Sequence, residues 1–122
     1  MAFSKVERRA IEDLLTGYCE RRVPPHARDK IRMLFRIKGE SATLLESRPS
    51  FVKPEEWIET VVAQFRRDQD TGEWTLYCAD RNSKWHLYEQ LKPKRTLRPL
   101  LAEVDRDPLV VRGVRRPARG AV

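Results

Sequence analysis

The sequence predicts an α+β domain: an antiparallel five-stranded meander sheet with an N-terminal helix and a shorter C-terminal helix packed on one of its faces. Three observations carry that expectation. Apolar residues recur at helical spacing near both ends of the chain. Between those stretches the apolar period falls to two in successive short runs. Turn residues separate the runs, so hairpins are the economical connection.

The first helix opens on a capping box, Ser4-Lys5-Val6-Glu7, whose hydroxyl and carboxylate each satisfy an orphan N–H. Val6, Ala10, Ile11, Leu14, Leu15 and Cys19 follow at helical spacing, with Lys5, Arg8, Arg9, Glu12, Asp13 and Thr16 on the other side. This stripe predicts roughly four turns, ended before Pro24-Pro25 because proline cannot join the ladder. From Ile31 the period changes to two: Ile31, Met33, Phe35 and Ile37 alternate with Arg32, Leu34, Arg36 and Lys38. Gly39-Glu40 supplies a glycine-first turn of type II′, and Ala42 to Arg48 returns antiparallel, pairing Ile37 with Ala42 and Phe35 with Leu44. Pro49 to Pro54 reads as a loop.

Residues 55–67 fit two templates. Trp57, Ile58, Val61, Val62 and Phe65 make a helical face, with glutamates at the start and arginines at the end. The same stretch is rich in β-branched residues, and Trp57, Val61, Ala63 and Phe65 share one side of a strand. The turn-like Asp68–Glu73 stretch with Gly72 leads into Trp74-Thr75-Leu76-Tyr77-Cys78, a clear strand, so a strand from about Trp57 is the economical choice. Asp80, Asn82 and Ser83 mark a turn before a last strand, Trp85 to Glu89. Leu97, Leu100, Leu101 and Val104 form the second helical stripe, with Thr96 as candidate N-cap, Pro99 in the first turn and Asp107-Pro108 as its stop.

A chain of 122 residues leaves room for one domain, over residues 1–108, followed by a basic, flexible tail at 109–122. Forty per cent apolar residues, with three Trp, three Tyr and four Phe, suffice for a core. No apolar run approaches the ~20 residues of a helical membrane crossing, so no membrane partner is expected. Cys19 and Cys78 have no neighbouring ligands at metal spacing, and His26 and His86 are far apart. No metal or other cofactor is therefore expected. The N-terminus lacks the apolar region of a secretory signal, which points to a cytoplasmic location and reduced thiols rather than a Cys19–Cys78 disulfide. The net charge of +7 is uneven: residues 1–90 carry +1 and residues 91–122 carry +6. Four arginines of the tail, Arg112, Arg115, Arg116 and Arg119, stand among Gly113, Pro117 and Gly120, a composition that can touch phosphates or simply confer solubility.

Alternation sorts the strands into faces. Met33, Phe35, Ile37, Trp57, Val61, Ala63, Phe65, Trp74, Leu76, Cys78, Trp85 and Leu87 are expected on the core side. Arg32, Leu34, Arg36, Lys38, Gln64, Arg66, Thr75, Tyr77, His86 and Tyr88 are expected on the other. Cations beside tyrosines and a histidine are the means by which proteins hold single-stranded RNA or DNA, aromatics stacking on bases and cations meeting phosphates. The same residues also suit a plain solvated face or one that meets a protein partner. The leading expectation is a non-enzymatic binding module contacting nucleic acid through Arg32, Arg36, Lys38, Arg66, Tyr77, His86 and Tyr88 together with the tail arginines. The alternative is a protein–protein interaction module or subunit of a larger assembly, and a small hydrolase built on His86 stands last. No catalytic residue is assigned: the chain has neither a Gly-rich phosphate loop nor a serine elbow, and only Tyr77 and Tyr88 are placed beside His86. The oligomeric state is left open.

A resemblance adds to this. Pro25-His26-x-Arg28-Asp29, Phe35-Arg36-Ile37-x-Gly39, Leu45-Glu46-x-Arg48-Pro49, Ala63-x-Phe65-Arg66, Trp74-x-Leu76-Tyr77 and Lys84-Trp85-His86-x-Tyr88 follow one another in an order that resembles the bacterial family Domain of Unknown Function 3024. The similarity runs over about residues 4–108, and its most specific part is the Trp-x-Leu-Tyr and Lys-Trp-His-x-Tyr pair. Cys78 departs from it, since an aromatic residue is expected after Tyr77. The resemblance implies a small bacterial cytoplasmic domain and brings no activity, cofactor or site residues.

Overall fold

The structure is a computed structural model and describes residues 3–80 and 82–106. Helix α1 spans Lys5–Arg22, followed by a 3-10 turn at Pro25–Ala27. Five strands then run β1 (Arg32–Lys38), β2 (Ser41–Pro49), β3 (Trp57–Arg67), β4 (Trp74–Ala79) and β5 (Trp85–Leu87), and helix α2 spans Arg98–Arg106. The strands form one antiparallel sheet in the order β1-β2-β3-β4-β5, an α+β meander as expected. The ambiguous stretch thus resolves as a strand from Trp57, as expected, with Glu55 and Glu56 in the preceding turn.

Local chemistry accounts for most boundaries. Ser4 Oγ accepts the Glu7 N–H at 3.1 Å and Glu7 Oε1 accepts the Ser4 N–H at 3.0 Å, closing the capping box. The helix runs on to Arg22, about a turn more than expected; Tyr18, absent from the predicted stripe, is buried beside Cys19, while Val6 and Ala10 remain exposed. Gly39 sits at φ 59° with Glu40 outside the left-handed region, the backbone pattern of a type II′ turn. Phe35 pairs with Leu44 and Ile37 with Ala42, as the alternation required. At α2 the helix starts at Arg98, so Leu97 rather than Thr96 holds the N-cap position, its carbonyl accepting from Leu100 and Leu101.

Both helices lie on one side of the sheet. Leu15, Tyr18, Leu100 and Val104 close over Leu44, Ala63, Phe65 and Leu76, with Phe3 stacked on Trp74 at 5.5 Å. Three polar clusters secure the layers. Tyr18 Oη donates to Asp105 at 3.0 Å, which joins α1 to α2. Tyr88 Oη donates to Glu103 at 2.7 Å, and Arg106 donates to the same carboxylate at 3.0 Å. These donors, Arg106 foremost, hold the buried Glu103 carboxyl below the usual range against the opposing effect of burial. Arg67 bridges Glu7 at 2.7 Å and Glu40 at 2.8 Å while its guanidinium lies 4.6 Å over Phe3. Cys19 is a buried thiol, pushed by desolvation up to about 11, and Cys78 is half-buried. Among the described residues no helix is long and apolar enough to cross a membrane.

Candidate nucleic-acid interface

The register places a set of side chains in cross-strand rows on the sheet face away from the helices. One row runs Arg36, Thr43, Gln64, Tyr77, Leu87, and its neighbour runs Lys38, Ser41, Arg66, Thr75. Toward the other end stand Leu34, Leu45 and Val61, then Arg32, Ser47 and Glu59. Trp57, paired with Pro49, completes this end. Of the sequence-predicted site residues, Arg32, Arg36, Lys38, Arg66 and Tyr77 therefore do share a face.

His86 and Tyr88 do not, and the expectation is corrected. Tyr77 pairs with Leu87 and Cys78 with His86, which turns Trp85 and Leu87 outward and His86 toward the helix side. Tyr88 follows on the core side, 2 % exposed, with its hydroxyl on Glu103. A period of two makes the phase of a short strand depend wholly on the loop that feeds it. Here Asp80 sets that loop, accepting the N–H groups of Asn82 at 2.8 Å and Lys84 at 3.0 Å. His86 is exposed and hydrogen-bonded to Asp80 at 2.7 Å. The His86 bond, with the two backbone donors, holds the Asp80 carboxyl down to about 2.

A second inversion comes from β3. Leu44 pairs with Ala63 and Leu45 with Val61, so Val62 is an extra residue and the register shifts. Both Val62 and Ala63 are buried on the core side, and Trp57 and Val61, expected in the core, belong to the outer face. The sequence carries a trace of this: Leu44-Leu45 and Val61-Val62-Ala63 are adjacent apolar residues where strict alternation allows one. Trp57 and Trp85 are thus outer-face aromatics that alternation alone misassigned.

The electrostatics of the face are basic and already organised around rings. Among the described strand residues four cations, Arg32, Arg36, Lys38 and Arg66, share it with one carboxylate, Glu59. Arg36 is ion-paired with Glu59. The Arg32 guanidinium lies 4.0 Å over the Trp57 ring, and that of Arg66 lies 3.8 Å over Tyr77. Arg66 Nε also donates to Gln64, which in turn donates to Thr43 at 2.9 Å. Each stacked pair offers a flat, cationic surface fixed by its neighbours, and the Thr and Gln hydroxyl and amide groups between the pairs can donate and accept. The tail residues Arg112, Arg115, Arg116 and Arg119 lie outside the described residues. Among the described residues no cluster of His, Cys, Asp and Glu could hold a metal ion.

No curated protein and no solved structure matches the chain. A family model, described as Domain of unknown function (DUF3024), matches residues 3–111, which is most of the sequence and all of the fold described above. The chain belongs to that family.

Proposed function

We propose that this protein is a non-enzymatic module of the bacterial cytoplasm that binds single-stranded nucleic acid on the helix-free face of its sheet. The observation that carries the proposal is the pair of guanidinium–aromatic stacks, Arg32 on Trp57 and Arg66 on Tyr77, on a face whose described strand residues include four cations and one carboxylate. Guanidinium planes backed by half-buried rings on an open sheet present a surface that any base can stack upon, worth ~1–3 kcal/mol per base, and the cations meet phosphates without reading sequence. The tail arginines would add sequence-independent contacts. A reducing compartment suits the buried Cys19 thiol.

Fluorescence anisotropy with single-stranded and duplex oligonucleotides tests this. Binding should favour the single strand and fall with salt, with a log–log slope of roughly −2 to −3 if the four face cations each displace a counterion. Trp57→Ala with Tyr77→Ala should weaken binding by about tenfold or more and leave far-UV circular dichroism unchanged. Absence of salt-sensitive binding at micromolar protein overturns the proposal.

A protein-docking reading of the same face has its own observation. Leu34, Val61, Trp85 and Leu87 put apolar surface among the polar rows. Pull-down before and after nuclease treatment separates the two: a partner retained without nucleic acid favours the protein.

A further inference from the structure

At one end of the molecule two features face solvent, sharing only Arg32 and Leu34 with the sheet face. The first is the β2–β3 loop. Phe51 is fully exposed and Val52 is 84 % exposed, yet the loop that displays them is tied down. Ser50 Oγ accepts the N–H groups of Val52 and Lys53, both at 3.2 Å. The Ser50 N–H donates to the Glu56 carbonyl at 2.7 Å, and the Glu56 N–H to the Lys53 carbonyl at 2.8 Å. Two apolar side chains held out on a hydrogen-bonded loop are a preorganised knob, with little ordering entropy left to lose on docking. Glu55 and Glu56 stand beside it, exposed, with no cation at ion-pair distance among the described residues.

The second feature is a groove of about 200 Å³ between the C-terminal end of α1 and the start of β1. Val23, Met33 and Leu34 give it an apolar lining, and Arg28, Arg32 and Glu20 stand around it. Both arginines are fixed through Nε, Arg28 to the Val23 carbonyl and Arg32 to the Arg28 carbonyl, each at 3.2 Å. Neither meets a carboxylate at ion-pair distance among the described residues. Their remaining N–H groups outweigh Glu20 and leave the apolar groove with a net positive rim, the complement of an apolar knob whose loop carries Glu55 and Glu56 against Lys53.

Knob and groove are also neighbours. Arg32 pairs with Ser47, and Phe51 lies four positions beyond, a reach of at most about 14 Å at strand rise. Adjacent complementary patches can satisfy each other twice across a two-fold axis, which closes the assembly instead of propagating a fibre. We propose that the protein forms a two-fold dimer in which the Phe51–Val52 knob of each copy seats in the Val23–Met33–Leu34 groove of the other. Glu55 and Glu56 of one copy then meet Arg28 and Arg32 of its partner. A central apolar anchor with a charged rim is the usual energetic layout of such a contact.

Sedimentation velocity over a concentration series tests it with the full chain. The wild-type protein should show a monomer–dimer equilibrium that tightens at low salt. Phe51→Ser removes the anchor at a position without internal contacts to lose and should raise the dissociation constant by about tenfold or more, with unchanged circular dichroism. Arg28→Glu alone, and Glu55→Arg with Glu56→Arg alone, should each weaken self-association. Mixing these two variants should restore it, because each then presents the charge that the other needs at both contacts. A wild-type monomer throughout overturns the proposal and leaves the knob to a different protein, and so does a dimer indifferent to Phe51→Ser. Oligonucleotide binding measured on Phe51→Ser keeps this outcome separate from that of the sheet-face proposal, since Phe51 lies outside that face.

Discussion

The two faces of the sheet are made by the same five strands and carry apolar residues of the same kinds, yet they behave differently. On the helix side Leu44, Phe65 and Leu76 are sealed from water; across the pleat Leu34 is 37 % exposed and Leu87 49 %. Leucine is not what distinguishes them. The helix side has Leu15, Tyr18, Leu100 and Val104 as a lid, whereas the outer face has only its own long side chains to lean on. Arginine stems and guanidinium groups then cover rings, as Arg32 covers Trp57 and Arg66 covers Tyr77. The covered face supplies the fold.

This contrast can be broken at four points of decreasing size. Phe65→Ala, at a site with no exposure, should cost about 3–5 kcal/mol in denaturant unfolding. Tyr88→Phe should cost about 1–3 kcal/mol, because Glu103 loses a buried donor, while Tyr77→Phe on the outer face should change stability by less than about 0.5 kcal/mol. Equal effects of the two tyrosine changes would reverse the assigned phase of β5. The third point is pH. Hydrogen bonds from Arg67 and from the Ser4 backbone hold the Glu7 carboxyl down to about 2 from an ordinary 4.5. A lowered carboxyl stabilises the fold above pH 4.5, and that contribution disappears as the pH falls toward 2. Glu7→Gln should therefore flatten the acid limb of stability measured from pH 5 to pH 2. The smallest effect is expected for Leu87→Ala, within about 0.5 kcal/mol, since its side chain already meets water.

The five-strand order, the β1–β2 register and the capped first helix were legible because each rests on near neighbours in the chain. Phe35 opposite Leu44 follows from a two-residue turn whose glycine takes the left-handed backbone. The candidate site was legible in part, for a related reason. Arg32, Arg36 and Lys38 lie on a strand with no irregularity, and Arg66 and Tyr77 lie beyond the bulge on the side that pairs regularly with β4. Trp57 and Val61 lie before the bulge, and one inserted residue moved both across the sheet. For β5, alternation assigned Trp85 and Leu87 to the core, but a tyrosine whose hydroxyl finds a buried glutamate is the better interior residue.

Composition and periodicity by themselves determined the class of this protein: two amphipathic helices, strands of period two, and a charge excess outside the first ninety residues. They also determined that cations would gather on one side of β1, because alternation is a property of the backbone. Only the tertiary structure decided which aromatics join them. That outcome depends on a bulge opposite Leu44 and Leu45, on the loop that Asp80 organises, and on Glu103 of a distant helix reaching Tyr88. Local sequence encodes which residues share a side, but the side that is buried is chosen by whatever packs against it.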